Sequence, residues 1–334
     1  SYTYNANKMP VTAKYRTDDG AVMNVGLTYD SMGRITGFNR QSTGAAPSGN
    51  IAYTYDPLGR LLSCTEGQKQ NCYSYDALGN RTAWKINDIE KATYSYDAMN
   101  RMTDMMQDGT AYGYTYDHRG NLTEEKRADS LIRQYVYDAA NRMITGKDLL
   151  NGAQSDYTYN ALHMRIGNTV AYPGAETPVI REITYIPDIL STANNDLMAY
   201  HNGTGVTQAV YGRDYERLGY TTTAGQVYEM PDLWGSPLYS ADSQGNVAWR
   251  TEYDIWGNAE TAVSEADTAA RFTSYTYDPV IGKYFAKERF YDSNQGRMLS
   301  PDPVKRGLNP YPYCDNDPVN YNDPTGEIPS ILAG

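Results

Sequence analysis

An all-β fold, a ribbon of antiparallel β-hairpins, is what the sequence predicts, and three observations predict it. A Tyr-Asp or Tyr-Asn step leading into a turn recurs eight times, with its acid or amide at Asn5, Asp30, Asp56, Asp76, Asp97, Asp117, Asp138 and Asn160. After two intervals of 25 and 26 residues, the spacing settles at 20, 21, 20, 21 and 22. Such a period marks a repeat architecture in which each unit buries its face against the next. Tyrosine supplies 33 of the 334 residues, which suits half-buried strands better than a dry helical core.

Within one unit, YTYDPLGRLLS at residues 53–63, Tyr53 and Tyr55 share one strand face. Asp56 is placed to accept nearby backbone N–H groups, Pro57 suits the next turn position, and Gly59 supplies a positive φ. Arg60 then opens the returning strand. The same roles fall to Tyr75, Asp76 and Gly79, to Tyr96 and Asp97, to Tyr116, Asp117 and Gly120, and to Tyr137 and Asp138. Asn100 and Asn141 take the glycine position, consistent with the tolerance of Asn for left-handed backbone. His163 fits that position less well and marks an irregular unit. Coiling such a ribbon shields its edge and its tyrosine face.

Further along, GAETPVIREITYIP (residues 174–187) interrupts the register. Residues 187–200 are expected to form a short helix or a loop, and SEADTAARF (264–272) is a second helix candidate with capping residues. Strands with longer loops are expected between the two. We read residues 1–226 as the repeat region and 227–334 as a closing region continuous with it.

The net charge of −11 argues against nucleic-acid binding, which needs clustered Lys and Arg. No run approaches the ~18 apolar residues of a membrane helix, so direct membrane insertion is not expected. A targeting segment is expected to lie outside this sequence. Cys64 and Cys72 are spaced for pairing across a hairpin, but Cys314 leaves an odd count, so free cysteines are expected. His118, His163 and His201 lack a local ligand pattern, and the DxxG turns lack the converging oxygens of a calcium loop. No metal and no cofactor are expected.

YTYDPLGR and its copies resemble the YD repeats of the RHS/YD-repeat family, which includes polymorphic toxins, Tc-toxin shells and teneurins. The stretch from Arg271 to Gly326, with Tyr277-Asp278, Tyr291-Asp292, Gly296-Arg297, SPDP, NPYPY and NDPVNYNDP, is similar to that family's RHS-associated core. The resemblance implies a β-ribbon spiralling into a hollow shell, or part of one, closed at one end by the core. It also implies a C-terminal toxin or other cargo polypeptide absent from this chain, further shell or delivery components, and a secreted or cell-surface setting.

Some family members cut themselves after the core by aspartyl-protease-like chemistry. That makes Asp302 in SPDP and Asp323 in NDPTG the candidate catalytic pair, since two adjoining carboxylates can divide base and acid roles. Asp315 and Asp317 lie between them as supporting candidates. Relatives often place Arg before the first Asp where this chain has Pro301, which puts Arg297 and Arg306 forward as substitutes. The family pattern ends in a Leu after which the cut falls, and here Glu327 stands in its place. Against catalysis, Asp-Pro pairs also build turns. Three functions follow as expectations: a structural shell around cargo, an autoproteolytic module, and an extracellular carbohydrate or protein recognition module using exposed tyrosines.

Overall fold

The computed structural model describes residues 2–16, 22–42, 49–174, 179–187, 197–201, 205–211, 217–259, 270–304, 307–327 and 329–331. Among the described residues, twenty-three strands, from Tyr2–Tyr4 to Val247–Arg250, form one sheet. Each strand pairs antiparallel with its neighbours in sequence. The expected ribbon is therefore an uninterrupted meander, and it runs through the irregular stretch as well.

Each repeat turn is built by one side chain. The Asp56 Oδ1 accepts the N–H groups of Leu58 and Arg60, both at 2.9 Å, while Gly59 donates to the Asp56 carbonyl with φ of +89°. The second oxygen, Oδ2, takes a donor from the residue four positions on. That donor is Arg34, Arg60, Arg101 or Arg142, or the amide of Asn80 or Asn121. Where the fourth position holds Met9 or Met164, the turn opens with Asn5 or Asn160 instead. The turns that open with Asp are thus those whose fourth residue brings a side-chain donor to the second oxygen. His163 adopts the glycine role with φ of +68° and donates to Asn160, so that turn keeps the common geometry.

The two tyrosines of a unit do different work. The first, at Tyr53, Tyr73, Tyr94, Tyr114, Tyr135 and Tyr157, is fully in the core. In several units the second reaches back to the preceding one, Tyr75 donating to the Leu61 carbonyl at 2.9 Å, Tyr96 to Arg81 at 2.8 Å and Tyr159 to Met143 at 2.7 Å, whereas the Tyr137 hydroxyl is buried without a partner. The preceding unit's arginine stacks on the same ring, Arg34 over Tyr55 at 4.8 Å and Arg60 over Tyr75 at 5.0 Å. Successive turns are thus stapled through polar atoms and rings.

A register shift falls just before the turn in unit after unit, at Thr28/Tyr29, Thr54/Tyr55, Ser74/Tyr75, Thr115/Tyr116, Val136/Tyr137 and Thr158/Tyr159. A bulge bends and twists its strand, and repeating it at one place per hairpin makes the ribbon coil. The coil brings distant segments together: Phe38 and Trp234 lie 5.8 Å apart, and Arg40 pairs with Glu252 at 3.7 Å.

The concave face is packed against the C-terminal residues. Tyr94, Met105, Tyr114, Leu122, Tyr135 and Tyr157 share a cluster with Val280, Ile281, Phe285, Phe290 and Leu299. A four-stranded sheet spans Thr276 to Met298. Of the helix candidates, residues 188–196 lie outside the described residues, and Leu197–His201 is a strand. Residues 260–269 also lie outside them, and Phe272–Ser274 forms a single 3-10 turn. Cys64 sits opposite Asn71, and Cys72 opposite Ser63, so the two thiols are one residue out of register and on opposite faces. None of the three cysteines forms a disulfide.

Candidate functional site

The C-terminal core docks on the row of repeat turns through side chains that read backbone carbonyls. Asn316 donates to the Gly79 carbonyl at 2.8 Å and Tyr311 to that of Gly120 at 2.9 Å. Asn320 accepts from the Ile35 N–H at 2.8 Å and donates to the Tyr55 hydroxyl at 3.0 Å. Arg297 donates to Asn80 Oδ1 and the Asn100 carbonyl, between the rings of Tyr96 and Tyr311. Its place is the junction with the ribbon, with its guanidinium on the turn row rather than on an aspartate.

Asp302 and Asp323, 21 residues apart in sequence, converge on one guanidinium that the sequence did not single out. Arg289, on the buried strand Arg289–Asp292, holds its Nη2 3.5 Å from Asp323 Oδ2 and 3.8 Å from Asp302 Oδ2. Its Nε donates to the Gly326 carbonyl and its Nη1 to that of Pro310, the latter at 3.0 Å. The Asp302 N–H also reaches the Pro310 carbonyl, at 3.0 Å, and its Oδ1 accepts from Val304 N–H at 2.8 Å. Asp323 Oδ1 accepts the Glu327 N–H at 3.0 Å, and its carbonyl accepts from the Tyr275 hydroxyl. Both carboxylates are buried.

The strap from Asp323 to Glu327 is held tightly against the core. Gly326 has φ of +75°, and a Cβ there would overlap the Ala286 carbonyl oxygen. Tyr321–Asn322 pairs with Ser330–Ile331, closing the strap as a hairpin. Burial, then the neighbouring Asp302 carboxylate, push the Glu327 pKa above the ordinary glutamate value against the pull of Arg289. Glu288 is raised too, by burial and then by Glu327. The strap thus carries more negative than positive charge around Glu327.

The other named acids stand apart from the pair. Asp317 is buried, accepts both the side-chain amide and the N–H of Asn320, and is pushed up to about 6 by burial. Asp315 is exposed in the 3-10 turn Tyr313–Asn316. Arg306 lies outside the described residues. Arg289 was missed because its signal is not local: it sits in ERFYD, and its partners lie 13 to 37 residues away. The available cue was a cation within a four-residue aromatic strand, since a buried guanidinium demands acceptors.

The Teneurin YD-shell family model matches residues 1–114, and the RHS Repeat model matches residues 116–148. The chain is 32% identical over 125 residues to the tRNA3(Ser)-specific nuclease WapA of Bacillus spizizenii, over 35% of this chain and 5% of that protein. It is 34% identical over 110 residues to the Double-stranded DNA deaminase toxin A of Burkholderia cenocepacia, over 31% of this chain and 8% of that protein. With the putative uncharacterized protein YlbH of Escherichia coli K12 it shares 38% over 96 residues, 28% of this chain and 40% of that protein. The chain therefore spans less than half the length of these relatives. Among solved structures, a TcdB2-TccC3-Cdc42 crystal structure aligns over 98% of this chain and 21% of that chain, at 17% identity and a TM-score of 0.49.

Proposed function

This chain belongs to the YD-repeat/RHS family, and from that premise we propose that it is a structural segment of a shell enclosing or presenting a cargo polypeptide. In this reading residues 1–226 are shell and residues 227–334 close its end. The observation that carries it is the coiled 23-strand ribbon with the C-terminal core seated on its concave face. The tRNA-nuclease and deaminase-toxin names of the relatives favour a toxin as the cargo and a secreted or cell-surface setting, with delivery or further shell components as partners. A reporter polypeptide joined after Gly334 tests this. It should resist a protease that digests the free reporter, and equal digestion of both would overturn the shell reading.

A second reading, self-cleavage after Glu327, is favoured by the convergence of Asp302 and Asp323 beside the strap. Water adds to the Glu327 carbonyl carbon while one carboxylate takes its proton. The other, protonated, donates to the Ile328 nitrogen as the C–N bond breaks, giving a carboxylate and an amine. An anionic Glu327 repels the pair that must approach it. Glu327→Leu should therefore speed cleavage at neutral pH. The native chain should cleave faster as pH falls from neutral and Glu327 takes up a proton. Intact mass measured over time reads both effects, and an unchanged rate in Glu327→Leu would contradict the repulsion.

A further inference from the structure

We infer that the cavity between the opening strands of the ribbon and residues 232–256 binds a small organic carboxylate, with Arg40 as the residue that receives it. The site needs neither the shell reading nor the self-cleavage reading. Coiling brings strands Val22–Tyr29, Ile35–Ser42 and Gly49–Tyr55 against a segment from the far end of the sheet and beyond it. A cavity of about 100 Å³ lies between them. Its walls include Val25, Phe38, Tyr53, Leu233, Trp234 and Ile255, and the exposed Glu66 and Lys69 mark its mouth. A cavity of ~150 Å³ accommodates benzene, so this space suits the body of a short branched acid rather than a drug-sized ligand.

The polar groups select the head group. The Arg40 side chain is only 12% exposed, and its Nη2 stands 3.7 Å from Glu252 Oε2, beyond hydrogen-bond reach. Glu252 Oε1 is instead bonded by the Arg250 guanidinium at 2.8 Å. Arg40 Nε is buried with no acceptor among the described residues. The Tyr253 hydroxyl, on another residue lining the cavity, is likewise buried without a hydrogen bond. Buried donors left without acceptors are costly, and a guanidinium fork matches a carboxylate in a bidentate pair. Two acids of the lining are engaged by their own turns. Asp232 Oδ1 accepts the N–H groups of Trp234 and Ser236, and Asp254 holds those of Trp256 and Asn258 together with the Asn258 amide. The donors in want of a partner therefore call for an acceptor, and a cationic head would meet the Arg40 guanidinium as a like charge.

Isovalerate, isovaleramide and isopentylamine test this, since they share an apolar body and differ in the head group. Saturation-transfer NMR on the 334-residue chain reads binding at their methyl groups. Isovalerate should bind, the amide at least about tenfold more weakly, and the amine not at all. Arg40→Gln, checked for a native circular dichroism spectrum and melting temperature, should weaken isovalerate to the level of the amide. No binding of isovalerate, or equal binding of all three probes, would overturn the proposal. Undiminished isovalerate binding in a folded Arg40→Gln would overturn the role of Arg40. Should that variant not fold, the ranking of the three head groups on the native chain decides alone. Competition separates the sources of the carboxylate. Acetyl-glycyl-valine displacing isovalerate, where its C-terminal amide does not, identifies a polypeptide chain end, and failure of both to displace it identifies a free small acid.

Discussion

Lys283→Met will destabilise the chain by about 3–5 kcal/mol, the range for leaving buried charges without their partner. The Lys283 ammonium is buried between Asp292 on its own sheet and Glu125 on the ribbon, at 3.0 Å from the latter. Glu125 also accepts from Arg133 at 3.2 Å and from the Tyr135 hydroxyl at 2.8 Å. Burial alone would lower the Lys283 pKa, but Asp292 and Glu125 outweigh it and hold it above the ordinary value. Burial likewise would raise Glu125, and Lys283 and then Arg133 outweigh it and hold it low. The signs give a plateau. The Glu125 contribution is present above its unfolded pKa and lost as pH falls through the folded one. The Lys283 contribution is present below its unfolded pKa and lost as pH rises through the folded one. Urea midpoints should therefore be flat through neutral pH and fall steeply in the mutant. Adding Glu125→Gln and Asp292→Asn to Lys283→Met should recover much of the loss. An unchanged midpoint in Lys283→Met would show that the core does not depend on this junction.

Gly326→Ala carries the next largest expected effect, about 2–4 kcal/mol, from a left-handed backbone now bearing a Cβ and from its overlap with the Ala286 carbonyl. The strap would lift from Arg289 and lose its pairing with Ser330–Ile331. Scanning calorimetry should show a lower melting temperature, and any cleavage after Glu327 should be lost with it. A native melting temperature would mean that the strap sits elsewhere in solution.

Much of the ribbon was legible because its determinants are local. The acid, the glycine and the alternating tyrosines all act within a few residues, so spacing alone located eight turns. Less visible was the division of labour between the tyrosines, since the second one, in most units, bonds a carbonyl 14 to 20 residues back. Asn5 and Asn160 look like loose copies of Asp until Met9 and Met164 are read with them. His163 looks irregular because its side chain hides an ordinary turn. At the candidate site, Asp302 and Asp323 were nameable from their DP segments. Arg289 was not, because what makes it matter is a meeting of distant carbonyls and carboxylates. Arg297 was named for that role but lies at the ribbon junction, where its acceptors come from turns nearly 200 residues or more away.

The central claim is that the tyrosine repeats are scaffold, and that ribbon and C-terminal core fold as one body. Native-state hydrogen exchange across a series of low denaturant concentrations tests it most directly. Amides of Tyr94, Tyr114, Tyr135 and Tyr157 should open at the same free energy as those of Phe285 and Tyr291. Exchange of the core at markedly lower denaturant, with the ribbon still protected, would contradict it.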